Sequence, residues 1–385
     1  MSRTEILGRN LSTGASILVK LEDKTIFSIE PSNEAPDLWI SAGLVDLQVN
    51  GYLGLDLNGP NLTSETISQL VRSLLATGVT TFAPTVITAA EESIIQRLTC
   101  IAKTCTHDPV VAACIPYIHV EGPHISPLDG YRGAHPAEWV RPPSLAEFDR
   151  WQAACNGLVG MVTLSPHFPE SNEYIAGLVA RGIHVSLGHT HASHAQIHDA
   201  VRSGARLSTH LGNGIAPQID RHPNPIWSQL AEDSLTASFI ADGHHLPAET
   251  LTALVRAKGL NRSILVSDAV ALAGMPPGHY VASVGGRVEL TADGRLSMEG
   301  NSTLAGAAVP LMDCVSRAAR MMGRPLAEAI VMATENPGRF AANRGRLQPG
   351  ERADIIRFHW NEQDNAAIIA DVWLAGEHLP GTRTT

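Results

Sequence analysis

Four polar side chains follow predicted β-strands at the points where those strands end, and their types suit metal-assisted hydrolysis. They are Glu121, His189, His210 and Asp268. Two imidazoles and one carboxylate, with one coordination position left open, are typical ligands of a catalytic Zn²⁺ or a related divalent ion. Asp268 would then take a proton from a water that the metal activates. One such histidine or glutamate alone is usually a hydrogen-bonding or capping residue, so the interpretation depends on all four together.

The first predicted strand and the lysine content indicate one metal ion per chain. That strand ends in Gln48 and Asn50, where a site for two metals would need two histidines, and amides are poor zinc ligands. The four lysines of the chain all lie away from predicted strand ends, so none is placed to bridge two metals as a carbamate. We expect one tightly held divalent ion, Zn²⁺ first, with Fe²⁺, Co²⁺ and Mn²⁺ as alternatives.

A second group of residues, most of them polar, follows the predicted strands and is suited to holding a substrate. Its members are Ala134, His135, Asn213, Gly214, Arg221, His244 and His245. Arg221 and His245 are candidates for binding an anion such as phosphate, because a guanidinium presents a bidentate fork. Plainer interpretations stay open: Arg221 as a surface salt bridge, and the two adjacent histidines as loop residues. His194 and His198 have a metal-binding spacing, but a solvated helix face explains them more simply.

Bringing these side chains together requires strands that end at one rim. Between residues 42 and 335, runs rich in Val, Ile and Thr alternate with helical patterns. The predicted strands are residues 44–49, 80–85, 115–120, 160–164, 184–187, 206–209, 237–240 and 263–266. Predicted helices include residues 65–76, 91–105, 174–181, 192–203 and 247–258. This alternation favours a closed (β/α)8 barrel of the TIM type over an open sheet, with the active site at the carboxyl ends of the strands.

The sequence at each end of the chain predicts short β-strands, and neither terminal segment has a helical pattern. These strands are residues 16–20, 25–30, 354–359 and 367–374. Because chain termini often lie close together, we expect a small β-sandwich domain built from residues 1–41 and 345–385 around a barrel domain of residues 42–344. Residues 278–298 interrupt the alternation and predict a β-hairpin insert, with turns at residues 285–286 and 292–294.

The composition fits a globular enzyme and excludes several classes of protein. Of the 385 residues, 44% are hydrophobic and 17% are charged, which is sufficient for a large core. A formal net charge of −10 disfavours general binding of nucleic acid. No stretch predicts a membrane-spanning helix. The five cysteines include no CxxC pair, which indicates reduced thiols in a cytoplasmic protein.

Short segments along the chain resemble the amidohydrolase superfamily and, within it, the family of N-acetylglucosamine-6-phosphate deacetylases. They are residues 43–51 (GLVDLQVNG), 119–123 (HVEGP), 133–136 (GAHP), 188–190 (GHT), 210–213 (HLGN), 240–243 (IADG), 266–269 (VSDA) and 303–306 (TLAG). Residues 347–354 (LQPGERAD) are typical of the superfamily's return into its terminal β domain. Each segment is weak alone, but their order and spacing over nearly the whole chain are specific.

The resemblance implies a role for each matching residue. Glu121, His189 and His210 match the metal ligands, Asp268 matches the catalytic acid–base, and His135 matches a contact to the substrate's acyl carbonyl. The positions that match sugar-phosphate contacts are Asn213, Gly214, Arg221, His245, Leu304, Ala305 and Gly306. In the family the matching arginine reaches the neighbouring subunit's site, which implies a homodimer here.

The activity that the resemblance implies is metal-dependent hydrolysis of an acetamide. The expected substrate is N-acetylglucosamine-6-phosphate or a close N-acetyl amino-sugar phosphate, and the products are acetate and the amine. Two alternatives stay open. One is a deacylase of a non-phosphorylated N-acyl amino sugar or N-acyl amino acid. The other is a barrel that binds sugar phosphates without turning them over, against which the presence of Asp268 beside three metal-type residues argues.

Overall fold

Eight parallel strands form a barrel in a computed structural model, which describes residues 3–361 and 367–380. In chain order they are Leu44–Val49, Val79–Ile87, Ile118–Glu121, Val159–Leu164, His184–Leu187, Leu207–Ser208, Thr236–Ile240 and Ser263–Val266. Each strand pairs with its neighbour in sequence. The first and eighth strands meet where the Asp268 amide donates to the Gln48 carbonyl at 3.1 Å. The predicted (β/α)8 barrel and its eight strands are therefore confirmed.

Helices surround the barrel and bury one face each against the strands. The α-helices are Ser64–Ala76, Glu91–His107, Pro109–Cys114, Leu145–Ala154, Ser171–Ala180, His194–Arg202, Pro225–Ala231, Ala248–Lys258, Leu311–Met322, Leu326–Val331 and Glu335–Gly338. In the first of them Ile67, Leu70 and Leu74 are buried, the spacing expected of an amphipathic helix. Barrel strands have helices on their outer face and side chains filling the interior, so Val79–Ile87 is buried along its whole length. None of the helices in the described ranges has the length and apolar character that a membrane span requires.

The two ends of the chain together form a seven-stranded sheet. Its strands are Arg3–Asn10, Ser16–Glu22, Thr25–Pro31, Trp39–Ala42, Ile355–His359, Ile368–Leu374 and Glu377–Pro380. The expected β domain from both termini is confirmed, and its strands are joined in one continuous sheet. We propose the domain boundaries predicted from the sequence, because Trp39–Ala42 still pairs in this sheet and Leu44–Val49 begins the barrel. The predicted small domain also includes residues 1–2, 362–366 and 381–385, which lie outside the described residues.

The predicted insert after the eighth barrel strand is a small antiparallel sheet. It has three strands, Gly278–Ala282, Gly286–Leu290 and Leu296–Met298, with turns where the sequence predicts them. Val288, Leu290 and Leu296 pack in one apolar cluster with Val270 and Leu272, which follow the eighth strand. The insert is thereby fixed to a loop at the carboxyl end of the barrel.

Candidate active site

Three buried side chains converge at the carboxyl end of the barrel. Glu121 is the last residue of the third strand, and His189 and His210 follow the fifth and sixth strands. The Oε1 atom of Glu121 lies 3.1 Å from Nε2 of His210 and 3.4 Å from Nε2 of His189. One ligand atom from each residue lies within 4.8 Å of the other two. The structure thus brings the three predicted metal ligands into one cluster.

The chemistry of this cluster fits a divalent metal ion. Burial alone would raise the pKa of Glu121, but hydrogen bonds from His189 and His210 outweigh it and hold that pKa well below its usual range. Nδ1 of His189 donates to the Tyr131 carbonyl at 2.9 Å, so Nε2, which lies against Glu121, is the nitrogen that would exchange its proton for a metal ion. Metal-binding imidazoles are commonly oriented by such a bond from the second nitrogen. Two imidazoles and one carboxylate leave a fourth zinc position for water or substrate.

The backbone is strained where these side chains leave the strands. His189, His210 and Asp268 have positive φ angles of 47°, 30° and 49°. Positive φ is uncommon outside glycine, costs about 1–3 kcal/mol per residue, and is concentrated at functional sites. Gly214 lies against the same cluster, and a Cβ there would be 2.8 Å from Nδ1 of His189. The backbone therefore adopts unfavourable φ angles at the three positions where these groups are brought together.

Asp268 is held beside the cluster by two amide side chains. Nε2 of Gln48 donates to Oε1 of Glu121 and to Oδ1 of Asp268, both at 3.0 Å. Nδ2 of Asn50 donates to the same Asp268 oxygen at 2.8 Å. Burial, together with the charge of Glu121, raises the pKa of Asp268 to about 8. Sequence reasoning treated Gln48 and Asn50 only as missing metal ligands, although their position at the end of the first strand already placed them near this site.

His135 reaches the cluster from the long loop after the third strand. Its ring centroid lies 4.5 Å from that of His189, and its Nε2 lies 4.0 Å from Oε2 of Glu121. Nδ1 of His135 contacts the Thr88 hydroxyl at 2.8 Å, a partner that sequence reasoning missed. Burial, and then the nearby His189, lowers the pKa of His135 to about 3, which keeps the ring neutral near pH 7.

A cavity of about 320 Å³ opens above the cluster. Its wall includes seven of the predicted substrate-binding residues: Ala134, His135, Asn213, Gly214, His245, Leu304 and Gly306. Nδ1 of His245 donates to Oδ2 of Asp242 at 2.7 Å, and this fixes the imidazole ring. Sequence reasoning missed several other residues of the wall, among them Ile215, Pro217, Val284, Ser302 and Thr303.

Three residues predicted to bind substrate do not line this cavity. Nε2 of His244 contacts the Asp293 carbonyl at 3.0 Å, in a separate surface depression. The side chain of Ala305 is buried in the cluster beneath the insert, behind the loop on which it lies. Arg221 is exposed on the loop that precedes the helix Pro225–Ala231. Among the described residues of the wall there is neither lysine nor arginine, so histidines are its only basic side chains.

A sequence profile described as "Amidohydrolase family" matches residues 39–379. The chain belongs to the amidohydrolase family. This amidohydrolase is 30% identical over 329 residues to the N-acetylglucosamine-6-phosphate deacetylase of Bacillus subtilis (strain 168), covering 84% of this chain and 81% of that protein. It is 31% identical over 345 residues to the N-acetylgalactosamine-6-phosphate deacetylase of Shewanella sp. (strain ANA-3), covering 88% and 82% respectively.

A solved structure from Mycobacterium smegmatis is similar over almost the whole amidohydrolase chain. It is a variant of N-acetyl-D-glucosamine-6-phosphate deacetylase in complex with N-acetyl-D-glucosamine-6-phosphate. The TM-score is 0.87 at 26% identity, and the match covers 98% of this chain and 99% of that one. The resemblance drawn from the short segments is confirmed.

Proposed function

We propose that this amidohydrolase is a metal-dependent deacetylase of N-acetylglucosamine-6-phosphate, or of a close N-acetyl amino-sugar phosphate, with acetate and the amine as products. The observation that carries the proposal is the buried Glu121–His189–His210 cluster with Asp268 and His135 facing the same cavity. The named activities of the relatives support it. Relatives of similar identity differ in the sugar epimer that they act on, so both epimers belong in the test.

Hydrolysis needs a polarised carbonyl, an activated water and a proton for the leaving amine. A divalent cation held by Glu121, His189 and His210 would supply Lewis acidity and lower the pKa of water. His135 would donate a hydrogen bond from Nε2 to the acyl oxygen and stabilise the charge that develops there. For that tautomer the Thr88 hydroxyl donates to Nδ1 at 2.8 Å in place of its longer, 3.5 Å bond to the Glu121 carbonyl.

Asp268 is positioned to move the proton. Its Oδ1 is occupied by the amides of Gln48 and Asn50, whereas Oδ2 has no hydrogen-bond partner among the described residues. The positive charge of a cation nearby would lower the pKa of Asp268 and keep it ionised. Oδ2 would take a proton as the water oxygen bonds to the acyl carbon, and would give it to the nitrogen as the C–N bond breaks.

The finer attributes of the enzyme follow from the same residues. Zn²⁺ is the proposed ion, one per chain, because two imidazoles and one carboxylate suit it. A cytoplasmic location is proposed because all five cysteines are free. A homodimer is proposed because the cavity wall has no described lysine or arginine to neutralise a phosphate, while Arg221 is exposed and available to a neighbouring site.

The proposed function is tested by a turnover screen of the metal-loaded enzyme. N-Acetylglucosamine and N-acetylgalactosamine are each supplied with and without a 6-phosphate, together with N-acetyl amino acids, and the released amine is measured. We expect amine to be released only from sugars that carry a 6-phosphate. The epimer that is turned over faster identifies the natural sugar. Equal turnover of the unphosphorylated sugars would favour the alternative deacylase, and no amine from any compound would favour a non-catalytic binding barrel.

The substitution Arg221→Ala is expected to raise KM for the phosphorylated substrate roughly 10- to 100-fold, because a hydrogen bond to a charged group contributes about 1.5–3 kcal/mol. The value of kcat should change little, since Arg221 lies away from the reacting atoms. Arg256→Ala is the control, because that exposed arginine lies on the helix Ala248–Lys258, outside the cavity wall. An unchanged KM in the Arg221 variant would mean that this side chain does not bind the phosphate.

A further inference from the structure

Two histidines outside the catalytic cavity face each other on the rim of the barrel. His167 lies in the loop after the strand Val159–Leu164, and His191 lies in the loop after the next strand, His184–Leu187. Their ring centroids are 4.3 Å apart, with the planes inclined at 45°. Both side chains are partly exposed, and neither belongs to the cavity wall. The mechanism proposed above uses neither of them.

A serine hydroxyl orients each of the two rings. Nδ1 of His167 lies 2.7 Å from Oγ of Ser165, and Nδ1 of His191 lies 2.7 Å from Oγ of Ser126. Ser165 gives its own hydroxyl proton to the Thr190 hydroxyl at 2.8 Å, so it must accept the proton of His167 Nδ1. In the neutral His167 ring the lone pair is therefore on Nε2.

Each imidazole of the pair has one nitrogen that no described protein group contacts by a hydrogen bond, and the two rings lie against each other. Neither Nε2 of His167 nor Nε2 of His191 has a hydrogen-bond partner within residues 3–361 and 367–380. An imidazole held through one nitrogen with the other nitrogen free is the usual state of a metal-binding histidine. We propose that His167 and His191 together bind a second transition-metal ion, of the kind that imidazole prefers, such as Zn²⁺, Ni²⁺ or Cu²⁺.

This rim site should be weaker than the catalytic cluster. It offers two protein ligands and no carboxylate, whereas the catalytic cluster offers three ligands including Glu121. Water would complete the coordination, so the rim site fills only when metal is in excess of one tightly bound ion per chain. An ion there would connect two neighbouring loops. It would also lie near Tyr131, whose ring is 5.9 Å from His191 and whose carbonyl accepts from His189.

A competing pair lies close by on the helix His194–Arg202 and provides the matched control. His194 and His198 are one helical turn apart, and their rings are 6.4 Å from each other. Nδ1 of His198 is paired with Glu232 at 2.8 Å, and both histidines are exposed. No serine hydroxyl orients these rings within the described part of the chain, so the pair lacks the feature that favours the rim site.

The experiment is a Zn²⁺ titration of enzyme that already holds one tight ion, with bound metal counted after equilibrium dialysis. We expect one weaker ion in the native chain and in His198→Ala, and none in His167→Ala or His191→Ala. Ser165→Ala keeps both imidazoles, and it should weaken the second ion 10- to 100-fold, the usual effect of losing such a partner. Retention of the tight ion and of the native thermal midpoint shows that each variant is folded.

Anomalous scattering from zinc-soaked crystals tests the same site without any substitution. Zinc between the two Nε2 atoms is the expected result. The proposal is wrong if the native chain binds no further ion, if the ion lies elsewhere, or if His198→Ala removes it. It is equally wrong if His167→Ala binds zinc as the native chain does.

Discussion

Replacing Asp268 with asparagine should abolish turnover while the metal stays bound. Asparagine keeps an oxygen that can accept the hydrogen bonds of Gln48 and Asn50, so the local geometry should be preserved. It cannot take a proton from water or deliver one to the amine, and proton transfer of this kind contributes roughly 10²- to 10⁴-fold to a rate. We expect kcat to fall by at least that factor. Amine release gives kcat, and elemental analysis gives the metal content.

Asp313→Asn is the control for this substitution. Asp313 is a half-buried carboxyl group on the helix Leu311–Met322, outside the cavity wall. The kcat of that variant should stay close to the native value. Near-native turnover in Asp268→Asn would remove Asp268 from the mechanism. Loss of the metal together with activity would instead make Asp268 a part of the metal site.

The strand-end residues could be predicted because a parallel barrel brings the carboxyl ends of all its strands to one rim. Apolar runs locate the strands, and the polar residue that ends each run is then a candidate for the site. Glu121, His189 and His210 follow this rule directly, and the structure places their ligand atoms together. The eight strands were predictable for the same reason, since strands with helices outside and packed side chains inside have continuous hydrophobic sequences.

The hydrogen bonds that support these residues could not be predicted. Gln48 joins Glu121 and Asp268 only because the first strand lies beside the eighth and one strand away from the third, in a register that no local pattern encodes. Thr88 similarly reaches His135 across the rim from the end of a different strand. Such contacts depend on the direction of individual side chains, which the spacing of residue types does not define.

Two adjacent histidines show the same limit within one loop. Both His244 and His245 follow the seventh strand, and sequence reasoning assigned both to the substrate. In the structure Asp242 holds His245 toward the cavity, whereas His244 turns to the Asp293 carbonyl outside it. Arg221 lies beyond the cavity wall of its own chain, so its predicted role depends on a second subunit, which a single sequence does not display.

Replacing Glu121 with glutamine should remove both the metal and the activity. Glu121 is the one anionic member of the cluster, and both imidazoles contact its Oε1 atom. The substitution preserves the size of the side chain but removes the negative charge that a divalent ion needs. We expect kcat below detection and no metal after dialysis. In the native enzyme a chelator should stop turnover, and added Zn²⁺ should restore it. The same Zn²⁺ concentration should not restore the variant.

Glu147→Gln separates loss of the metal from loss of stability. Glu147 is also buried, and its carboxylate accepts from Arg141 outside the cavity wall. Weakening that partly buried pair should lower the free energy of unfolding by about 1.5–3 kcal/mol, yet one ion should remain bound. Removal of the catalytic ion should also lower the thermal midpoint, since a ligand bound only to the folded state stabilises it by about 2.7 kcal/mol at 100 times its Kd. One ion retained by Glu121→Gln, or two tight ions in the native chain, would contradict a catalytic site for a single metal.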